Sequence, residues 1–155
     1  MVEVKLNANE LLTAANIGMR RNAEAIFKGR SPRFPEKTPG ELWGFHIESS
    51  LAEMCVSKYL KIYWSMGVNT FHTADIDKKL EIRWSERDDC KVRPDDNNMI
   101  IISVKGVGMS KNIMGWIDSE DAKKEEFKFK GKNSDTAPCY FVPHNKLNNI
   151  EDLKL

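Results

Sequence analysis

Thr73–Trp84 reads TADIDKKLEIRW, and its period of two decides how the chain is laid out. If Asp77, Lys78 and Lys79 form a three-residue hairpin loop, Ile76 lies opposite Leu80, Asp75 opposite Glu81, Ala74 opposite Ile82 and Thr73 opposite Arg83. The even positions then make an apolar face of Ala74, Ile76, Leu80, Ile82 and Trp84, and the odd positions gather Asp75, Glu81 and Arg83 on the other. Opposed residues on paired strands have β-carbons only ~5 Å apart. Two carboxylates would thus come within reach of one divalent cation, beside a fixed positive charge. The bland alternative is a solvated ladder of ion pairs on a polar sheet face.

The helix before this hairpin supplies the next candidates. Over Glu41–Tyr63 a spacing of 100° per residue gathers Phe45, Leu51, Ala52, Cys55, Val56, Tyr59, Ile62 and Tyr63 into one apolar arc. Glu48 projects into the middle of that arc and Glu53 falls at its edge. A carboxylate on a buried stripe is costly unless it is paired or bound to a cation. If one of these acids converges with Asp75 and Glu81, the three form an oxygen-rich site suited to Mg²⁺ or Mn²⁺. Such an ion polarises a phosphoryl oxygen and lowers the pKa of a bound water. Arg83 would neutralise charge on a phosphate, but it is too basic to accept a proton.

Towards the N-terminus, helical spacing runs from an N-cap at Asn9 to about Lys28, with Gly29 as the C-terminal stop. The proline-bearing loop RSPRFPEKTPG follows. Between Arg20 and Lys37 the residues Arg20, Arg21, Lys28, Arg30, Arg33 and Lys37 face only Glu24 and Glu36. This excess makes Arg20, Arg21, Arg30, Arg33 and Lys37 candidates for contacting nucleic-acid phosphates. A solvated helix end is the plainer reading.

Beyond the hairpin, Cys90–Arg93 alternates, PDDNN is a turn cluster, and MIIISV over Met99–Val104 is a strand buried on both faces. Ser103 and Lys105 share a face at its end, making Lys105 a second cation near the site. Gly106 and Gly108 end that strand. GWIDSEDAKK predicts a short acidic helix capped near Asp118 or Ser119, FKFKGK an edge strand, CYFVP a strand, and HNKLNNIEDLKL a short helix or packed tail. His46, His72 and His144 have no metal-ligand spacing, and the tryptophans read as core. The expected fold is a single α/β domain over residues 1–155 with a mixed central sheet flanked by helices. Residues 1–40 would form an N-terminal helix and basic loop, and residues 41–147 the core.

Composition is consistent with this. A chain of 155 residues, 41% hydrophobic and 30% charged, can bury one real core and is too apolar for a disordered tail. No apolar run approaches the ~20 residues of a membrane helix. Cys55, Cys90 and Cys139 form no CxxC pair, so a reducing cytoplasm is expected. The net charge of +1 leaves any basic surface to be local.

Four segments carry a family likeness: AEMCVSKYL, ADIDKKLEIRW, CKVRPDDNNMIIISVKG, and GWIDSEDA with YFVPHNKL. A helix acid followed by an Asp and an acid-x-basic tripeptide on a hairpin resembles the PD-(D/E)XK nuclease superfamily. More narrowly, the chain looks like small proteins of tailed bacteriophages that carry a degenerate form of the motif. The likeness spans about Leu42 to Leu147. It implies a restriction-endonuclease-like fold and a Mg²⁺- or Mn²⁺-dependent DNA nuclease with Glu53, Asp75 and Glu81 as metal ligands. Glu48 stays open as the alternative helix acid. Arg83 stands where the superfamily usually has lysine and cannot share that lysine's role in proton transfer; Lys105 is the candidate substitute. The companion expectation is a catalytically weakened module that binds nucleic acid or a host protein, in counter-defence or DNA processing. Its setting would be the host cytoplasm if the chain is viral, and a homodimer is left open.

Overall fold

The computed structural model describes residues 1–31, 36–68, 74–76, 79–129 and 139–155. Six strands are present among them: β1 (Val2–Lys5), β2 (Leu80–Trp84), β3 (Asp89–Val92), β4 (Ile100–Lys105), β5 (Ser110–Asp118) and β6 (Tyr140–Pro143). The helices are α1 (Ala8–Phe27), α2 (Pro39–Leu60) and the one-turn α3 (Ser119–Ala122), followed by short 3₁₀ turns. A four-stranded sheet runs in the order β1-β5-β4-β2, and β3 pairs with β6 in a second, two-stranded sheet. β2 is parallel to β4, whereas β1–β5 and β4–β5 are antiparallel. The molecule is thus a single α/β domain with a mixed sheet.

Local chemistry accounts for the helix limits. Asn7, not Asn9, caps α1: its side chain accepts from the Glu10 N–H while the Glu10 carboxylate accepts from the Asn7 N–H. The helix closes in a Schellman turn, with Gly29 at φ 60° and Arg30 N–H donating to the Ala25 carbonyl. Thr38 and Glu41 form the same reciprocal box at the start of α2, and Lys61 in the left-handed region ends it.

α2 lies on one face of the larger sheet with α1 packed on α2, and β3, β6 and α3 cover the opposite face. Leu51, Ala52, Cys55 and Val56 of α2 meet Leu80, Ile82, Ile102, Val104 and Ile113 in the larger core. The smaller core joins Cys90, Val92, Ile101, Ile117, Ala122 and Val142. Both ends of the chain enter the structure: β1 pairs along β5, and Ile150 is buried in the larger core.

β5 escapes the sequence reading because its pattern breaks at a bulge. Between Ser103 and Val104 the pairing shifts, so that Ser103 faces Gly115 while Val104 faces Ile113. The extra residue reverses parity, sending Ile113 into the larger core and Ile117 into the smaller one. Gly115 has φ 151°, and a β-carbon there would lie 2.5 Å from the Asn148 carbonyl oxygen. The C-terminal segment crosses at that point through a bridge between Trp116 and Asn148. Of FKFKGK, Phe127 ends a 3₁₀ turn begun at Glu125, Lys128 bridges antiparallel to Tyr140, and the Phe129 N–H donates to the Cys139 carbonyl, while Lys130, Gly131 and Lys132 lie outside the described residues. The C-terminal segment is a packed tail with 3₁₀ turns over His144–Lys146 and Ile150–Asp152, and Ile150 is buried.

Candidate functional site

Of the expected register, the described residues show one pair, an isolated bridge in which Ile76 and Leu80 exchange both backbone hydrogen bonds, at 3.0 and 2.9 Å. Beyond that bridge Asp75 does something a plain ladder does not. Its Oδ2 accepts from the Ile82 N–H at 2.8 Å, an N–H on the open side of β2, which is the edge strand of its sheet. Ala74, Ile76, Leu80 and Ile82 are buried, and Asp75, Glu81 and Arg83 take the other face. His72, Thr73, Asp77 and Lys78 lie outside the described residues.

Glu53 enters from α2 and is 3% exposed. Arg21 of α1 grips it with a two-pronged clamp, Nη1 to Oε1 at 2.5 Å and Nη2 to Oε2 at 2.8 Å. The Trp64 indole N–H adds a bond to Oε2 at 2.8 Å, and Arg21 Nε donates to the Gly67 carbonyl at 2.8 Å. The clamp depends on a close helix crossing. Gly18, one turn before Arg21, packs so tightly on α2 that a β-carbon would sit 2.5 Å from Ile47 Cα.

Arg83 makes a second clamp. It pairs with Glu81 and sends Nη2 to both oxygens of Asp96, at 2.6 and 2.7 Å. Asp96 is buried in the PDDNN turn and also accepts from the Arg93 N–H at 2.8 Å. Burial raises the Asp75 pKa well above the usual carboxylate range, and the charges of Glu53 and Glu81 push it the same way; the Ile82 N–H and Arg21 only partly oppose this. Burial also raises Glu81, with Arg83 and Arg93 pulling against it and Asp96 and Glu53 adding to the rise. Burial alone would lower both arginines. Glu53 overcomes it at Arg21, and Glu81 with Asp96 at Arg83, so both guanidiniums end above their ordinary value.

The three acids of the sequence pattern therefore share one electrostatic neighbourhood, but it is already compensated by guanidinium. Both Glu53 oxygens and Asp75 Oδ2 accept N–H bonds, and Glu81 Oε1 is held by Arg83. Among the described residues no three ligating side chains converge on a point suited to a metal ion. As a donor set, this arrangement does not fit a divalent cation with Arg21 and Arg83 in place.

The remaining candidates disperse. Glu48 accepts from the Gly108 N–H at 3.2 and 3.1 Å and pairs with Lys111, whose side chain is wholly buried. Lys111 also donates to the Gly106 carbonyl at 2.6 Å and lies 5.4 Å from the Trp84 ring centroid. Lys105 pairs with the exposed Asp88 at 2.6 Å. It lies on β4 two residues beyond Ser103, the partner of Arg83, ~7 Å along the strand. Arg20 is exposed, Arg30 sits 3.8 Å from Glu24, and Arg33 lies outside the described residues. Arg21 is no surface arm, because it points inward to Glu53.

Lys37 lines a cleft of about 800 Å³ between the start of α2, the end of β2 and the β3–β6 sheet. Phe45, Trp84 and Phe141 give it aromatic walls, and Arg83, Arg87, Lys91 and Arg93 add positive charge. Its acids mostly face partners within the fold. Glu41 caps α2, Glu48 holds Lys111, Glu86 accepts from the Gly106 N–H, and Asp89 pairs with Arg87. Arg87 lies 4.8 Å and Lys91 5.9 Å from the Phe141 ring centroid. Arg83 Nε has no hydrogen-bond partner among the described residues.

Sequence reasoning missed Arg21 as an inward group, and with it Trp64, Asp96 and Lys111. A signal existed for Arg21: Ala14, Ile17, Gly18 and Asn22 are the buried stripe of α1, and Arg21 falls on it. Scanned against family models, the curated proteins and the solved structures, the chain finds no match.

Proposed function

We propose that this chain is a DNA-binding module of restriction-endonuclease-like architecture, with an acid centre neutralised by its own arginines and a cleft that receives the nucleic acid. The observation that carries this reading is the Arg21 clamp on Glu53, closed by the Trp64 indole. It commits the helix acid to the protein interior. The cleft supports the binding half. Its volume is that of a ligand site, and aromatic walls with Lys37, Lys91 and Arg87 at hand suit stacked bases and a phosphate backbone. The resemblance to phage proteins favours a role in DNA processing or counter-defence in the host cytoplasm.

Fluorescence anisotropy with labelled single-stranded, double-stranded and branched DNA tests this. Binding that weakens with salt and falls on Lys91→Glu is expected, with no cleavage in Mg²⁺ or Mn²⁺. Failure to bind any of the three DNAs would overturn the reading and turn attention to a host protein.

One observation favours a second reading, the metal-dependent nuclease. The charges of Glu53 and Glu81 both raise the Asp75 pKa, so the three acids of the motif share one electrostatic neighbourhood. In that case Mg²⁺ or Mn²⁺ would be held by Glu53, Asp75 and Glu81 only after Arg21 is displaced. Cleavage that disappears in Asp75→Ala and Glu81→Ala would establish it.

A further inference from the structure

We infer that Arg21 is the resident counter-ion of the acid centre, serving by charge in the place where the resembled family uses a divalent metal. Three features argue for it. The guanidinium is held through all three nitrogens, to Glu53 twice and to the Gly67 carbonyl once. Its charge reaches past Glu53 to Asp75 and Glu81, so one cation serves acids from α2, the hairpin and β2. Its position is also fixed by backbone, through the α1–α2 contact at Gly18 that leaves no room for a β-carbon.

A guanidinium held in this way is preorganised by the fold. An incoming metal would have to break both hydrogen bonds between this half-buried guanidinium and Glu53, which is unfavourable. The folded protein should therefore be indifferent to divalent cations. Dependence on them should arise only when the arginine is removed and Glu53, Asp75 and Glu81 lose their shared positive charge.

The inference rests on the neutralised acid centre of the proposed function and not on DNA binding, and the two fail separately. DNA affinity of the wild-type chain tests the cleft, whereas melting with and without Mn²⁺ in the absence of DNA tests Arg21. The wild-type melting temperature should be the same in EDTA and in Mn²⁺. Arg21→Met should melt lower in EDTA and rise with Mn²⁺ concentration, as for a ligand that binds only the folded state. Adding Glu53→Gln to Arg21→Met should abolish that rise. If Arg21→Met is unfolded in EDTA, recovery of its circular dichroism in Mn²⁺ supports the inference and no recovery overturns it. Arg21→Lys, which keeps the charge, should stay indifferent to Mn²⁺. A wild-type chain stabilised by Mn²⁺, or a folded Arg21→Met that ignores it, would also sink the idea.

Discussion

The acid centre and the cleft meet at Arg83, and they handle charge in opposite ways. In the centre, Glu53, Asp75, Glu81 and Asp96 are closed in by Arg21, Arg83 and Arg93, and the groups that hold them come from α1, the segment after α2, β2 and the turn before β4. In the cleft Glu41 caps α2, Glu48 holds Lys111, Glu86 accepts from the Gly106 N–H, and Asp89 pairs with Arg87 on the cleft wall. Among the described residues Lys37 and Lys91 belong to no ion pair there. The first arrangement can contribute much to stability and specificity, with little left for a ligand. The second contributes little to stability and keeps its charge for solvent or a polyanion.

The largest effect should follow from opening the centre. Glu53→Ala removes both carboxylate hydrogen bonds from the half-buried Arg21 and the acceptor of the Trp64 indole N–H, at a cost of about 3–5 kcal/mol in urea unfolding. A loss no larger than that of a surface substitution would erase the contrast between the two regions. Gly18→Ala should come next. Its methyl group meets the α2 backbone at Ile47, and separating the helices costs about 1–3 kcal/mol while loosening the Arg21 clamp.

Asp75→Asn should act in the opposite direction and with pH. The raised Asp75 pKa means that the folded chain holds this proton to higher pH than the unfolded one. Stability is therefore lost as pH rises from the ordinary carboxylate range of about 4 through the folded value. Asparagine can still accept from the Ile82 N–H but has no proton to lose. Its melting temperature should exceed that of wild type at neutral and higher pH, and the two should converge in acid. A variant destabilised at every pH would show instead that the ionised Asp75 is needed.

The smallest stability effect belongs to the cleft. Lys91→Ala should change unfolding by less than about 0.5 kcal/mol, yet reduce the salt dependence of DNA binding by about one unit of slope. If it leaves DNA binding untouched, the cleft is not the route of the backbone.

The individual elements show why part of this was readable in advance. The Ile76–Leu80 pairing, the two faces of β2, the buried strand β4 and the Asp118-capped α3 all follow from contacts a few residues apart. Local periodicity and turn chemistry fix such features. β5 was not legible because its alternation passes through a bulge at Met114, next to the Gly115 over which Asn148 crosses. β1 is too short to announce itself and is held by pairing with β5. The parallel pairing of β2 with β4 is a long-range choice that neither strand encodes alone.

The same division runs through the site. From the sequence alone came the facing of Asp75, Glu81 and Arg83 along the hairpin, and the need of an acid on α2 for a partner. The identity of each partner was settled in three dimensions. Glu53 meets Arg21 and Glu48 meets Lys111 across separations of 32 and 63 residues. Burial makes an uncompensated carboxylate costly wherever it falls, so the sequence signals that compensation is required. Which cation supplies it depends on how closely α1 crosses α2 at Gly18 and on how the bulged β5 directs Lys111 inward, and these are properties of the packed chain.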